Sequence, residues 1–188
     1  QPKMDLIQAW GYKMNNLNKL QLIAIQNAIK LDGLSSNDKS VLTDMISSKN
    51  VKNQKMTLYV DGAADLHSKT AGIGGVVYLN EAEISYFSEP LYDKTNNEAE
   101  YLAMIKGIDI LVKLKAENVN IFADSELVVK QVLGQYKVKN ERMKILCKQV
   151  VAGLENIKNW SISHVRRENN VRADELSKIG MEKARSEK

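Results

Sequence analysis

Runs of apolar residues bounded by polar or glycine-containing stretches predict five β-strands after residue 55. Runs of this length and spacing are typical of strands rather than helices. The predicted strands cover residues 56–63, 72–79, 84–91, 119–123 and 160–165. We expect residues 80–83, Asn-Glu-Ala-Glu, to form the hairpin turn between the second and third strands.

Apolar residues spaced three or four positions apart predict four helices among these strands. The predicted helices cover residues 95–115, 125–133, 140–156 and 169–183. Thr95 or Asn96 is expected to cap the first helix. Glu98 should face solvent there and favour the helix dipole. Strands and helices in this order predict an α/β fold, a mixed five-stranded sheet flanked by helices.

Residues 1–54 have a different character. The apolar spacing over residues 4–31 predicts a helix that ends at Gly33, and the polar residues 36–38 can cap a second helix. The polar composition of residues 47–55 predicts a linker. We therefore expect a small α-helical N-terminal extension (1–54), a main domain (56–183) and a polar tail (184–188).

The composition is that of an ordinary globular protein without disulfides. Of the 188 residues, 44% are hydrophobic and 27% charged, and the net charge of +4 is compatible with a polyanionic partner without establishing one. Cys147 is the single cysteine, so we expect it buried and a reducing, cytoplasmic location. No apolar stretch approaches the roughly 18 residues of a membrane span. We expect no membrane association, and a monomer is the default.

Four carboxylates occupy positions where a negative charge is hard to keep. Asp61 and Asp124 each follow an apolar strand, and Glu100 and Asp174 lie where helices should begin. If the two strands are neighbours, Asp61 and Asp124 meet at one edge of the sheet, where like charges raise each other's pKa. A divalent cation removes that conflict, and oxygen ligands suit Mg²⁺ or Mn²⁺. The pattern predicts a metal-dependent phosphoryl-transfer site, although each carboxylate alone could be a helix cap or dipole partner.

Four motifs in this order resemble ribonuclease H of type 1 over residues 56–183. They are Tyr-Val-Asp-Gly-Ala at 59–63, Thr-Asn-Asn-x-Ala-Glu-Tyr at 95–101, Ala-Asp-Ser at 123–125, and His164 followed by Asp174 within Asn-x-Arg-Ala-Asp-Glu-Leu at 170–176. The short connection between residues 134 and 141 resembles the compact bacterial and archaeal forms, which lack a basic insertion. Residues 1–54 do not resemble the hybrid-binding module that often precedes this domain.

The resemblance implies an endonuclease that cuts the RNA strand of RNA·DNA hybrids and leaves 5′-phosphate and 3′-hydroxyl ends. It also implies two Mg²⁺ ions, for which Mn²⁺ can substitute. Asp61 would bridge both ions, and Asp174 would complete the site of the ion that activates water. Glu100 and Asp124 would hold the other ion. His164 matches a histidine thought to move protons and help product release.

The same resemblance implies contacts to the hybrid. The expected contact residues are Gly62, Ala63, Asn96, Asn97, Ser125, Glu126 and Asn170. Main-chain groups at residues 61–63, together with Asn97 and Glu100, would recognise the RNA strand, whose 2′-hydroxyl distinguishes it from DNA. Glu126 departs from the Gln that many members carry, and residues 64–70 depart from a loop that is often rich in Gly and Pro.

Other functions remain open. The chain could be the ribonuclease H domain of a reverse transcriptase, a nucleic-acid-binding module that does not cut, or an enzyme of another reaction on the same fold. The four carboxylates favour cutting, because a binder gains nothing from repelling charges in a groove for polyanions. A basic run is either a solvated surface or a set of phosphate contacts; it consists of Lys137, Lys139, Arg142 and Lys144.

Overall fold

The chain divides into two compact units, residues 1–54 and 55–188. The computed structural model describes residues 24–25, 27–30, 33–46 and 55–187. Each unit is described by itself below.

In the N-terminal unit, the described residues are helical at 24–25, at 27–29 and in helix α1 (Ser36–Ile46). The Ser35 hydroxyl accepts a hydrogen bond of 3.0 Å from the Asp38 N–H. The cap of α1 therefore lies one residue before the predicted position, because this serine side chain satisfies a free N–H of the first turn. Most of the predicted helix over 4–31 and most of the predicted linker lie outside the described residues.

The second unit contains a mixed sheet of five strands. They are β1 (Lys55–Asp65), β2 (Thr70–Leu79), β3 (Ala82–Tyr92), β4 (Asn118–Ala123) and β5 (Asn159–His164). Their order in the sheet is β3-β2-β1-β4-β5. β1–β2 and β2–β3 are antiparallel, whereas β1–β4 and β4–β5 are parallel. The predicted mixed five-stranded sheet is confirmed, as is the neighbouring position of β1 and β4.

The turn between β2 and β3 is shorter than predicted. Asn80 and Glu81 have φ angles of 49° and 67°, and β3 already begins at Ala82. Two successive residues with positive φ are what a two-residue type I′ turn requires. The right-handed twist of the flanking strands favours this tight turn over the predicted four-residue connection at 80–83.

Four α-helices and one 3₁₀ turn complete the described part of this unit. They are α2 (Asn96–Lys113), α3 (Glu126–Val132), α4 (Glu141–Leu154), the 3₁₀ turn Arg167–Asn169 and α5 (Val171–Ser186). Thr95 caps α2 in a capping box with Glu98. Glu98 is buried and accepts a 2.8 Å hydrogen bond from the Thr95 N–H. The expectation that Glu98 faces solvent is therefore wrong, because its carboxylate folds back onto the helix start.

Helix α5 continues past the predicted end of the last helix. It runs to Ser186, and Ala184 is buried. The predicted polar tail at 184–188 is thus helical through residue 186, because a buried position keeps the last turn packed on the sheet.

The main core lies between the sheet and helices α2 and α4. Leu58 and Val60 of β1 are fully buried there with Ile121 of β4. Cys147 of α4 belongs to the same cluster, as its apolar character predicted. On α5, the Leu176 carbonyl accepts a 2.7 Å hydrogen bond from Ser88 of β3. None of the helices in the described ranges has both the length and the apolar character needed to cross a bilayer.

Candidate metal and catalytic site

The parallel pairing of β1 and β4 brings two predicted site residues together. Val60 lies beside Ala123 in the register, so the residues that follow them, Asp61 and Asp124, meet at the same edge of the sheet. One carboxylate oxygen from each of Asp61, Asp124 and Glu100 lies within 4.8 Å of the others. Three of the four predicted carboxylates therefore form one group of oxygen ligands.

Gly62 explains how Glu100 reaches this group. A Cβ at residue 62 would lie 2.3 Å from the backbone C of Ala99 and 2.3 Å from the backbone N of Glu100. Backbone atoms at such distances cannot move aside like a flexible side chain, so only glycine permits this approach. The start of α2 thereby rests directly on β1, and Glu100 lies next to Asp61.

Burial and mutual repulsion make two of these carboxyls weak acids. Asp61 and Glu100 are only 4% and 5% exposed. Burial raises the pKa of Asp61 to about 7; the hydrogen bond from Ser177 opposes this rise, and the charge of Asp124 adds to it. Burial raises the pKa of Glu100 to about 9, with further contributions from Asp61 and Asp124. The free protein thus keeps protons here near neutral pH.

Two oxygens of the group are buried without a partner. Among the described residues, Glu100 Oε2 and Asp124 Oδ1 have no hydrogen-bond partner. Buried polar atoms are nearly always paired, so an orphaned pair beside other carboxylates needs an explanation. A divalent cation would satisfy both atoms and offset the repulsion. A set of ligands that offers only oxygen suits Mg²⁺ or Mn²⁺, so the residues present fit such an ion.

Asp174 has a different environment from the other three. It accepts a hydrogen bond from Arg167 of the 3₁₀ turn (Nε at 2.8 Å) and another from Lys178 of α5 (Nζ at 2.5 Å). Burial works to raise the pKa of Asp174, but the hydrogen bonds and charges of Lys178 and Arg167 outweigh it and hold the pKa below its usual value. Asp174 is not in the group of three, and its role as a ligand stays a prediction.

The site opens into a cavity of about 550 Å³. Its lining includes Asp61, Glu100 and Asp124 together with several predicted substrate contacts. Those contacts are Gly62, Ala63, Asn96 and Ser125, the last of which caps α3 by accepting a hydrogen bond from Val128 N–H. Arg167 and Lys178 also line the cavity. The cavity is therefore lined by three acidic side chains and two basic ones.

Four other predicted residues lie elsewhere. Within the described residues, the cavity lining does not include Asn97, Glu126 or His164, all of which are exposed. His164 ends β5 beside Ala123, and Glu126 forms a 2.6 Å ion pair with Lys130. Asn170 is only 1% exposed, and its amide donates to the Val60 carbonyl at 2.9 Å. In the structure this amide fastens the start of α5 to β1, and the role of Asn170 as a substrate contact stays a prediction.

The sequence analysis missed Ser177 and Lys178. The Ser177 hydroxyl donates to Asp61 Oδ2 and lies in the turn of α5 that follows Asp174. A polar residue three positions after Asp174, on the buried face of the helix, was a signal available in the sequence. Lys178 was visible as a basic residue four positions after Asp174.

Comparison with known proteins supports the same fold and motifs. A family profile described as "Reverse transcriptase-like" matches residues 59–180. A bifunctional protein of Mycobacterium tuberculosis is 32% identical over 132 residues, covering 69% of this chain but only 36% of the relative. The chain thus spans about a third of that protein. A ribonuclease H of Desulforamulus reducens is 31% identical over 153 residues, covering 71% of this chain and 91% of the relative.

Solved structures agree with these matches. The N-terminal ribonuclease H domain of the mycobacterial protein has a TM-score of 0.69 and 31% identity, covering 72% of this chain and 99% of that domain. A ribonuclease H1 named LC11, solved in complex with an RNA/DNA hybrid, has a TM-score of 0.64 and 32% identity, covering 69% of this chain and 98% of its own. The matches confirm the resemblance drawn from the four motifs, and the chain belongs to the ribonuclease H family.

Proposed function

We propose that this chain is a metal-dependent endonuclease that hydrolyses the RNA strand of RNA·DNA hybrids to 5′-phosphate and 3′-hydroxyl ends. The observation that carries the proposal is the group of Asp61, Glu100 and Asp124, whose oxygens lie within 4.8 Å of one another. Two of these oxygens are buried without a partner. Such a group is costly to a protein that only binds polyanions, and it suits one that binds cations.

In this proposal the site holds two divalent cations, Mg²⁺ or Mn²⁺. Asp61, Glu100 and Asp124 would hold them together with Asp174. When bound, the ions lower the pKa of the attacking water and stabilise the departing oxygen. Lys178 and Arg167 lower the pKa of Asp174 against the effect of burial, so this carboxylate would be available as a ligand in its charged form.

The proposed substrate is supported by a relative and by the surface of the cavity. A ribonuclease H1 that is 32% identical to this chain was solved in complex with an RNA/DNA hybrid. In this chain, Gly62, Ala63, Asn96 and Ser125 line the cavity beside the carboxylates. These groups offer amides, a hydroxyl and backbone atoms near the reacting phosphate, which suits recognition of the RNA 2′-hydroxyl.

Three exposed residues complete the proposed interface. Asn97 and Glu126 lie in the first turns of α2 and α3, where side chains can reach a bound duplex. His164 lies close enough to Glu126 to lower its pKa by charge, behind the larger effect of the Lys130 hydrogen bond. We assign to His164 a part in proton movement and product release, a role that suits imidazole.

The direct test is cleavage of end-labelled substrates in Mg²⁺, Mn²⁺ or EDTA. The substrates are RNA·DNA hybrid, RNA duplex, DNA duplex and single-stranded RNA. The expected result is metal-dependent cutting of the RNA strand of the hybrid alone, with 3′-hydroxyl ends that a polymerase can extend. Binding without cutting in every metal would replace the proposal with a non-cleaving module. Cutting of DNA would retain the metal site but reject the ribonuclease assignment.

A further inference from the structure

The hydroxyl of Ser177 lies at the contact between α5 and β1. It donates to Asp61 Oδ2 and lies 2.9 Å from the backbone carbonyl oxygen of Asp174. Ser177 is 0% exposed. One buried hydroxyl therefore touches a carboxylate of the group of three and the backbone of the residue that supplies the fourth carboxylate.

Packing accounts for a small side chain at residue 177 but not for its hydroxyl. The buried face of α5 carries Ala173, Gly180 and Ala184 besides Ser177. A Cβ on Gly74 of β2 would lie 2.2 Å from the backbone N of Ser177. The backbones of β2 and α5 are thus nearly in contact at residue 177, which favours a small side chain there. Alanine meets that requirement as well as serine does.

The hydroxyl has a consequence for the Asp61 carboxylate. The hydroxyl donates to Asp61 Oδ2, and the backbone carbonyl oxygen of Asp174 lies within reach as a second acceptor. Because one oxygen of Asp61 is held toward α5, rotation of the carboxylate is restricted. Its other oxygen is left for the cavity that Asp61 lines with Glu100 and Asp124.

We propose that Ser177 is a positioning residue that fixes the orientation of the Asp61 carboxylate for binding of a divalent cation. This inference rests on the proposed function, because it takes the group of three carboxylates as a cation site. Hydrogen-bond partners of metal ligands typically change metal affinity by 10–100-fold when they are removed. Ser177 reaches the cation only through Asp61, so its effect is on affinity rather than on the reaction itself.

The test is Mn²⁺ binding, measured by isothermal titration calorimetry at one fixed pH for the wild type, S177A and S88A. The Ser88 hydroxyl donates to the Leu176 carbonyl at 2.7 Å, so S88A also removes a serine hydrogen bond to α5, but from the side of β3. We expect the Kd for Mn²⁺ to rise about tenfold in S177A and to change less than about twofold in S88A. In cleavage assays, S177A should need more Mg²⁺ for half-maximal rate, and saturating Mg²⁺ should restore most of the rate.

Each outcome separates this inference from the proposed function. An unchanged Kd in S177A, or the same weakening in S177A and S88A, would overturn the role of Ser177 while leaving the metal site in place. S177C keeps a side chain of similar size with a weaker donor, and we expect its Kd to lie between those of the wild type and S177A. If S177A does not fold, a wild-type Kd in S177C overturns the inference. Failure of the wild type to bind Mn²⁺ would overturn the proposed function and this inference with it.

Discussion

Two parts of the candidate site hold their carboxylates in opposite electrostatic environments. On the side formed by β1, β4 and the start of α2, burial raises the pKa of Asp61 to about 7 and that of Glu100 to about 9. On the α5 side, Lys178 and Arg167 overcome the effect of burial and hold the pKa of Asp174 low. The carboxyl groups of the sheet side therefore retain protons near neutral pH, whereas the carboxylate of the α5 side is paired with two basic side chains.

This difference indicates which side depends on a divalent metal ion from solution to balance its charge. Asp174 already has its charge balanced by two side chains of the same chain. Glu100 Oε2 and Asp124 Oδ1 have no such partner among the described residues. We therefore expect the sheet side to depend more on a bound divalent cation for charge balance than the α5 side does.

The largest effect is expected from removing one charge on the sheet side. D61N should lower the rate of hybrid cleavage at saturating Mg²⁺ by at least about 10³-fold, because it removes the ligand shared by both proposed ions. Hybrid binding in EDTA should survive, as measured by fluorescence anisotropy. D109N, which changes an exposed carboxylate in the middle of α2, is the control and should cut normally. A D61N protein that cuts at close to the wild-type rate would refute the two-metal assignment.

A substitution at Gly62 tests whether the close approach of the β1 and α2 backbones is what places Glu100 beside Asp61. G62A would place a Cβ 2.3 Å from backbone atoms of α2, and we expect it to cost about 3 kcal/mol of unfolding free energy in urea titrations. The matched change is G134A, where φ is +72° and nothing lies within 4 Å of the added Cβ. Conformational strain alone should cost it about 1–2 kcal/mol. Equal costs would argue against steric overlap at residue 62, and only G62A should also weaken Mn²⁺ binding.

The raised pKa values of Asp61 and Glu100 predict how pH affects stability. Their ordinary values are 3.8 and 4.5, and the folded values are about 7 and about 9. The folded protein therefore holds protons that the unfolded chain has released. Their stabilising contribution is present below about pH 4 and is lost as pH rises through about 7 and about 9.

Thermal melts in EDTA and in Mg²⁺ measure this dependence. In EDTA, the melting temperature should fall as pH rises toward about 9, and Mg²⁺ should raise it more at high pH than at low pH. The double variant D61N/E100Q should lose most of this slope. If instead the slope in EDTA were the same in the variant, groups outside the sheet side would be its source.

The smallest effect is expected on the α5 side. Because the pKa of Asp174 is lowered, its contribution is present above the ordinary value of 3.8 and is lost as pH falls through the folded value. K178M should cost less than about 1 kcal/mol at neutral pH, since the Lys178 side chain is about half exposed and screened by solvent. K178M should also lose less stability than K183M, a change on the same helix, when the pH is lowered into the acid range. Identical acid melts for K178M and K183M would contradict the role given to Lys178.

Much of the fold followed from local pattern. Each strand was predicted to within two residues of its observed ends, because alternation of apolar residues reflects the two faces of a sheet. Thr95 was foreseen as one of two caps, since side-chain chemistry at a helix start acts over three residues. Two features were decided by a distant element. Helix α5 is longer than predicted because the buried Ala184 extends its packed face, and Asn170 is buried because its amide reaches the Val60 carbonyl.

The candidate site was predictable in its residue types but not in its energetics. The order of the motifs identified Asp61, Glu100 and Asp124, and the structure brings their oxygens together. Contacts between residues far apart in the sequence were not predictable. The hydroxyl of Ser177 donates to Asp61 although the two residues are 116 positions apart. A pKa depends on burial and on neighbouring charges, and neither is visible along the chain.

By itself, the sequence determined the order of strands and helices and the four carboxylates, because apolar spacing and residue type are local properties. It also carried the motifs that show the ribonuclease H family. Only the tertiary structure decided which carboxylates are protonated and which are ion-paired. That division arises because burial where β1 and α2 approach at Gly62 raises the pKa values of Asp61 and Glu100, whereas α5 brings Lys178 to Asp174 on its own surface.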